Sequence, residues 1–234
     1  MKLISWNIRG LNGPRKTRLL KNMIKQESPQ VIFLQETKCD TTMLDKLAKK
    51  FWPGSHNTAV DANGAPGGIA IIWDSRAVEL TNFHAHRSFL QATFHILGTN
   101  QYGLLTNVYF PQDTRQKERI LDSISALNQN RPLPLWIVGG DFNMITRMEE
   151  RRGGRGRNSQ DGTLLMDFIQ NNWLIDLPSN NGIFTWNNRQ ARSLQIASRL
   201  DRFLLSDNAI HLGGDFAASI LPFTGSDHWP ISLH

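Results

Sequence analysis

The sequence predicts an α/β protein, a four-layered sandwich of two packed, mixed β-sheets flanked by helices. Two observations predict it. Val31-Ile32-Phe33-Leu34 and Leu135-Trp136-Ile137-Val138 are continuous apolar runs, the mark of strands covered on both faces. Around them, strand-length stretches closed by turn residues alternate with helical patterns along the chain. No internal domain boundary, low-complexity linker or short repeat interrupts the 234 residues, so a single domain over 1–234 is expected.

The elements follow in order. Leu3-Ile4-Ser5-Trp6 reads as a strand, ended by Gly10, Gly13 and Pro14. Pro14 suits a first helical turn, and Leu19, Leu20, Met23 and Ile24 recur at helical spacing to about Gln26. Val31–Leu34 is the buried strand, and Asp40 to Phe51 forms a helix with Met43, Leu44 and Leu47 inward. Residues 68–73, 78–83, 89–96 and 103–110 are hairpin-like strands. A helix over 114–128 carries Ile120, Leu121, Ile124 and Leu127, and Leu135–Val138 leads into Gly139-Gly140. Residues 147–161 read as a loop and 162–172 as a helix; strands are expected at 183–187, 194–205 and 215–221. The strand–helix–strand opening is echoed near 101–139, which suggests two similar halves. The apolar ending Ile231-Ser232-Leu233-His234 suggests a piece of a longer polyprotein.

Composition narrows the function. Lys and Arg number 26 against 20 Asp and Glu, a net charge of +6 that suits a polyanionic partner. Arg147, Arg151, Arg152, Arg155 and Arg157 crowd one segment, and after Lys117 every Lys/Arg position is Arg, whose planar fork fits phosphate. The single cysteine, Cys39, excludes an intrachain disulfide and a cysteine zinc cage and reads as an inert thiol. No apolar run approaches the roughly 20 residues of a membrane span, and the opening lacks the apolar stretch of a secretion signal. Trp6, Trp73, Trp136 and Trp173 read as core.

Polar residues gather at the ends of the apolar runs: Trp6-Asn7, Gln35-Glu36, Tyr109, Asp141-Phe142-Asn143 and Ser226-Asp227-His228. Taken singly, a strand-end Asp or Asn is a turn former or helix cap. Taken together, carboxylates and amides at strand tips converge on one rim, where α/β folds place ligands. Glu36, Asp141, Asp201 and Asp227, with Asn7 and Asn143, offer only oxygen ligands, which favour Mg²⁺ or Mn²⁺ over zinc.

The succession Trp6-Asn7-Ile8-Arg9-Gly10, Leu34-Gln35-Glu36-Thr37, Val108-Tyr109-Phe110-Pro111, Gly140-Asp141-Phe142-Asn143, Arg199-Leu200-Asp201-Arg202 and Ser226-Asp227-His228 resembles the endonuclease/exonuclease/phosphatase superfamily. Within it, the chain is most similar to the endonuclease domain of LINE-type non-LTR retrotransposons, with plant-like Trp-Asn-Ile-Arg-Gly-Leu-Asn and Met148–Gly154 stretches. The resemblance implies a Mg²⁺-dependent DNA endonuclease, with Mn²⁺ able to substitute, that nicks double-stranded DNA to leave a 3′-hydroxyl for reverse transcription. It implies a metal held by Glu36 with Asn7 and Asp227, and Asp141 orienting or deprotonating the attacking water. Asn143 and His228 would contact the phosphate, Asp201 would orient His228, and Tyr109 would support the phosphate or leaving oxygen. Thr185 and Ser226 match positions near the phosphate.

The segment 186–193 resembles a DNA-probing hairpin, giving Arg189, Gln190 and Arg192 as minor-groove candidates. Arg15, beside Lys16 and Arg18, is a candidate for backbone phosphates. Many relatives carry Asn or Asp at position 9; Arg9 cannot ligate a cation and is a candidate phosphate contact instead. The resemblance also implies a nuclear protein, a reverse transcriptase domain of the same element as partner, and a monomer when isolated. Alternatives are an apurinic/apyrimidinic repair endonuclease, a phosphoesterase of the same superfamily, or a catalytically silent nucleic-acid binder.

Overall fold

The computed structural model describes residues 1–62, 67–130, 133–154, 160–191, 194–211 and 215–234. In chain order the elements are β1 (Leu3–Asn7), α1 (Pro14–Glu27), β2 (Val31–Gln35), α2 (Thr41–Phe51), β3 (Ser55–Val60), β4 (Ile69–Asp74) and β5 (Val78–His86). They continue with β6 (Phe89–Ile96), β7 (Tyr102–Tyr109), α3 (Thr114–Gln129), β8 (Trp136–Asp141), β9 (Arg151–Arg152) and α4 (Gln160–Asn171). The last are β10 (Leu174–Leu177), β11 (Trp186–Asn187), β12 (Ala197–Ser198), β13 (Asp201–Ser206), α5 (Asn208–His211), β14 (Ala218–Ile220) and β15 (Ile231–Leu233).

Two six-stranded mixed sheets, β14-β15-β1-β2-β4-β3 and β10-β13-β8-β7-β6-β5, pack face to face. One cluster fills the space between them, with Leu3, Val31, Phe33, Ile71, Leu105, Ile137, Phe203 and Leu233. A second joins the outer face of the first sheet to α1 and α2 through Ile4, Trp6, Leu20, Met23, Ile32 and Leu44. A third joins the other sheet to α3 and α4 through Val108, Ile120, Ile124, Trp136, Val138, Leu165 and Phe168. The expected four layers are present. The echo between halves is also visible: β1 pairs in parallel with β2 across α1, and β7 in parallel with β8 across α3. Parallel neighbours need such a crossover, and its helix covers the sheet.

Local chemistry sets the helix starts. Pro14 stands at the head of α1, Asp40 accepts from the Met43 N–H at 2.7 Å, and Asp113 accepts from the Gln116 N–H at 2.9 Å.

Several expectations need correction. The edge strand β3 lay in a stretch assigned to no element, and the strand expected over 194–205 is two, β12 and β13, separated by Arg199-Leu200. The presumed loop at 147–161 contains a 3₁₀ turn at Met148–Glu150 and β9, which pairs with β12; Arg155 and Arg157 lie outside the described residues. Trp173, expected in the core, is 74% exposed, whereas Trp6, Trp73 and Trp136 are buried. Cys39 is buried, and that burial pushes its thiol pKa up, in keeping with an inert thiol. No helix among the described residues is long and apolar enough to cross a membrane.

Candidate active site

The period of two along each central strand decides which side chains reach the site. Leu3, Val31, Phe33, Leu105, Ile137, Phe203 and Leu205 point between the sheets. Continuing the same parity toward one end brings Ser5 and Asn7 of β1, Gln35 of β2, Asn107 and Tyr109 of β7, Asp141 of β8 and Asp201 of β13 into the same layer. The filling therefore changes from apolar to polar along the layer. Gln35 Nε2 donates to Asn107 Oδ1 at 2.7 Å and Ser5 Oγ at 3.0 Å, and Asn107 Nδ2 donates to the Ala70 carbonyl at 2.8 Å. This network floors the site.

Strand ends close in a repeated turn. The Arg9 N–H donates to Asn7 Oδ1 at 3.2 Å, and the Asn143 N–H to Asp141 Oδ1 at 2.9 Å. Arg9, Glu36 and Asn143 have φ of 53°, 50° and 50°. Left-handed backbone at non-glycine residues is uncommon and gathers at functional sites, here supported by side-chain bonds two residues back for Arg9 and Asn143. Gly140 has φ 141°, and a Cβ there would stand 2.1 Å from the Val108 carbonyl oxygen, so only glycine lets β8 pass β7 this closely.

The result is a connected set. Asn7 Nδ2 donates to Glu36 Oε1 at 3.0 Å and Asp141 Oδ2 at 2.9 Å, bridging the two carboxylates. Asn143 Nδ2 donates to the Phe110 carbonyl at 2.7 Å, and its Oδ1 accepts from Gln112 at 2.8 Å. His228 Nδ1 lies 2.9 Å from Asp201 Oδ2, and His228 Nε2 lies 3.8 Å from Asp141 Oδ2. The His228 carbonyl accepts from Trp6 Nε1 at 3.1 Å, and its N–H donates to Ser226 Oγ at 3.2 Å. Glu36, Asp141, Asp201 and His228 are buried.

Electrostatics divides them. Burial alone would depress the His228 pKa, but Asp201 and Asp141 outweigh it and raise it, so the imidazole is a cation at neutral pH. Burial raises the Asp141 carboxyl while the facing His228 opposes it. Burial and then the Glu36 charge push the Tyr109 phenol well up, keeping its proton. For Asp227, the Trp186 hydrogen bond and the charges of His228 and Arg9 overcome burial and hold the carboxyl low.

The expected metal ligands fare unequally. Glu36 Oε2 is buried with no hydrogen-bond partner among the described residues, which suits a hard cation. Asp227 is otherwise engaged: Oδ1 accepts from Arg9 Nε at 3.0 Å and Ser226 Oγ at 3.2 Å, and Oδ2 accepts from Trp186 Nε1 at 3.0 Å. Asp141, Asp201 and His228 also place one ligand atom each within 4.8 Å of one another. Within that trio His228 is hydrogen-bonded to Asp201 at 2.9 Å and faces Asp141 at 3.8 Å, an arrangement that can also relay a proton between acid and base.

Four of the expected DNA contacts are exposed to solvent. Arg9, Arg15, Arg189 and Gln190 are exposed, with Arg189 donating to the Ser226 carbonyl. Arg192 lies outside the described residues. Thr185 and Ser226 are buried instead: Thr185 Oγ1 accepts the Leu200 and Asp201 N–H groups at 3.0 Å each, and Ser226 Oγ donates to the Asn7 carbonyl at 2.8 Å. They brace Asp201 and Asn7. Lys16 is half-buried over the Trp6 ring, where burial and nearby Arg189 push its ammonium down to about 8.

Two groups went unassigned in the sequence. Gln112, which holds Asn143, follows Tyr109-Phe110-Pro111 directly and was legible by position. The other is a buried ion-pair network: Arg202, with no side-chain exposure, meets Glu150 at 2.9 Å and Asp176 at 2.6 Å, and Arg199 meets them at 2.8 and 2.5 Å. Both arginines flank Asp201, the only signal available. A cavity of about 460 Å³ beside Asn143 and Tyr109 is lined further by Arg87, Ser88, Gln112 and Gln116.

Known proteins share this fold. DNA repair nuclease APEX1 of Danio rerio is 26% identical over all of this chain and 81% of its own. The structure of the AP endonuclease LMAP from Leishmania major superposes with a TM-score of 0.79 at 18% identity, covering 99% of this chain and 86% of that one. The endonuclease domain of TRAS1, a telomere-specific non-LTR retrotransposon, gives 0.75 at 16%, covering 100% and 97%. The endonuclease/exonuclease/phosphatase family model matches residues 4–228, and the chain belongs to that family of nucleases and phosphoesterases.

Proposed function

We propose that this protein is a divalent-metal-dependent DNA endonuclease that nicks double-stranded target DNA for a LINE-type retrotransposon. The observation that carries the reading is the meeting of Glu36, Asp141, Asn143 and His228, from three separated segments, in one polar cluster with an unpartnered carboxylate oxygen.

A phosphodiester resists hydrolysis because its charge repels nucleophiles and its leaving alkoxide is poor. Catalysis requires charge neutralisation, an aligned water and support for the departing oxygen. Asp141, its plane fixed by the Asn7 and Asn143 donors, accepts the proton of the attacking water. With Nδ1 held by Asp201, His228 turns its Nε2–H toward Asp141 and donates to a phosphoryl oxygen. Asn143 Nδ2 reaches Asp141 Oδ2 only at 3.5 Å and turns that weakly held hydrogen to the same phosphate, and the protonated Tyr109 hydroxyl supports it or the leaving oxygen. Glu36, with Asn7 and Asp141 beside it, would hold Mg²⁺, with Mn²⁺ as substitute; when bound, the ion neutralises charge developing on the phosphoryl oxygens.

Two features favour intact duplex as substrate. The basic balance suits a polyanion, and the segment after β11 brings the exposed Arg189 to the Ser226 carbonyl, with Gln190 exposed next to it. A free 3′-hydroxyl is the product a reverse transcriptase domain needs as a primer, which makes that domain the expected partner and the nucleus the expected location. Incubation of supercoiled plasmid with Mg²⁺ tests the reading: conversion to nicked circle, stopped by EDTA, supports it. Much faster cutting of an abasic duplex than of intact plasmid would transfer the protein to repair. Phosphate release from monoesters without nicking would make it a phosphatase, and salt-sensitive DNA binding without cleavage a silent binder.

A further inference from the structure

Arg9 occupies an unusual place for a cation. Its Nη1 lies 3.0 Å from Glu36 Oε1 and its Nε 3.0 Å from Asp227 Oδ1, so a single guanidinium links two of the carboxylates at the pocket. The backbone holds it there, with φ 53° and its N–H on Asn7 Oδ1. Glu36 Oε1 is thereby filled by Arg9 and Asn7, whereas Oε2 of the same buried carboxylate has no partner among the described residues.

We propose that Arg9 is a built-in cation of the acidic site, standing between Glu36 and Asp227 and restricting the pocket to one divalent ion, taken on the Glu36 Oε2 side. Without Arg9, Asp227 Oδ1 and Glu36 Oε1 lose its contacts and are released to a second ion. The guanidinium carries donors and no lone pair, so it can fill the position without ligating anything.

The inference rests on the oxygen-ligated metal of the proposed nuclease, and metal binding itself distinguishes the two. Mn²⁺ is titrated into wild type, Arg9→Asn and Arg9→Lys, and free ion is followed by electron paramagnetic resonance. Asn accepts the left-handed backbone at position 9 readily, and circular dichroism checks that each variant is folded. Wild type and Arg9→Lys are expected to bind one ion. Arg9→Asn is expected to bind a second, or to bind the first at least tenfold more tightly. Two ions in wild type, an Arg9→Asn protein indistinguishable from wild type, or an Arg9→Lys protein behaving like Arg9→Asn would overturn the role of Arg9 and leave the metal reading intact. No binding by any of the three proteins would remove the metal reading and the inference with it.

Discussion

Asp201 and Asp141 stand directly opposite each other in the antiparallel β8–β13 ladder, and His228 lies between their carboxylates, 2.9 Å from one and 3.8 Å from the other. Strand register thus places an imidazole between a carboxylate that orients it and a carboxylate that faces its reacting edge. Asp201→Asn keeps the shape and removes the charge. Nicking is expected to fall about 10²-fold, within the usual worth of a positioned acid–base group, while DNA binding is unchanged. Initial rates and a filter-binding isotherm check both; a variant of normal rate would leave Asp201 no part in holding His228.

The Glu150–Arg202 pair predicts a stability effect far from the chemistry. Arg202 is fully buried, and Glu150 and Asp176 share its charge. Glu150→Ala is expected to cost about 3 kcal/mol, because breaking a buried pair leaves an undercompensated charge. The same pair fixes a pH dependence. Although burial alone would raise the Glu150 carboxyl, hydrogen bonds and charge from Arg202 hold it down to about 2, below its ordinary 4.5. A depressed carboxylate contributes stability that is full above 4.5 and lost as pH falls toward 2. Urea midpoints measured across that window should drop for wild type more steeply than for Glu150→Ala; parallel curves would contradict the assignment.

Much of this was legible in the sequence. The apolar runs at Val31–Leu34 and Leu135–Val138 gave the central strands β2 and β8, and the residues just beyond them gave Glu36 and Asp141. An unbroken apolar run carries that information because each of these strands meets the other sheet on one face and a helix layer on the other. Where burial is partial, the signal fades. β3 is an edge strand reading Ser55-His56-Asn57-Thr58-Ala59-Val60, with five of the six positions half-buried and no apolar face to read. The Arg199–Arg202 network could not be read because an ion pair across Glu150 and Asp176 leaves no periodic trace. Trp173 misled because hydrophobicity alone argued for burial.

Gly140 is expected to tolerate no side chain. A Cβ would meet the Val108 carbonyl oxygen at 2.1 Å, against backbone that cannot swing aside. Gly140→Ala should lower stability by about 2–3 kcal/mol or more and displace Asp141, the next residue. Thermal melts together with nicking rates check this; a wild-type melting temperature would mean that β7 and β8 are less tightly apposed.

Arg189 should govern where the protein cuts more than how fast. Its side chain is exposed and reaches the Ser226 carbonyl. Arg189→Ala is expected to change turnover by less than about tenfold, the scale of a single rim contact of about 1 kcal/mol, while redistributing cleavage positions. Sequencing nick ends from one plasmid pool reads the spectrum directly, and an unchanged spectrum would dismiss the hairpin from recognition.

The central claim is that the separated segments meet as one hydrolytic pocket. It is tested most directly by the Mg²⁺-dependent nicking rate of Asp141→Asn beside wild type, with circular dichroism confirming the fold. The account predicts a loss of at least about 10³-fold, several kcal/mol of transition-state stabilisation, with the fold retained. A folded Asp141→Asn protein that nicks DNA at the wild-type rate would contradict it.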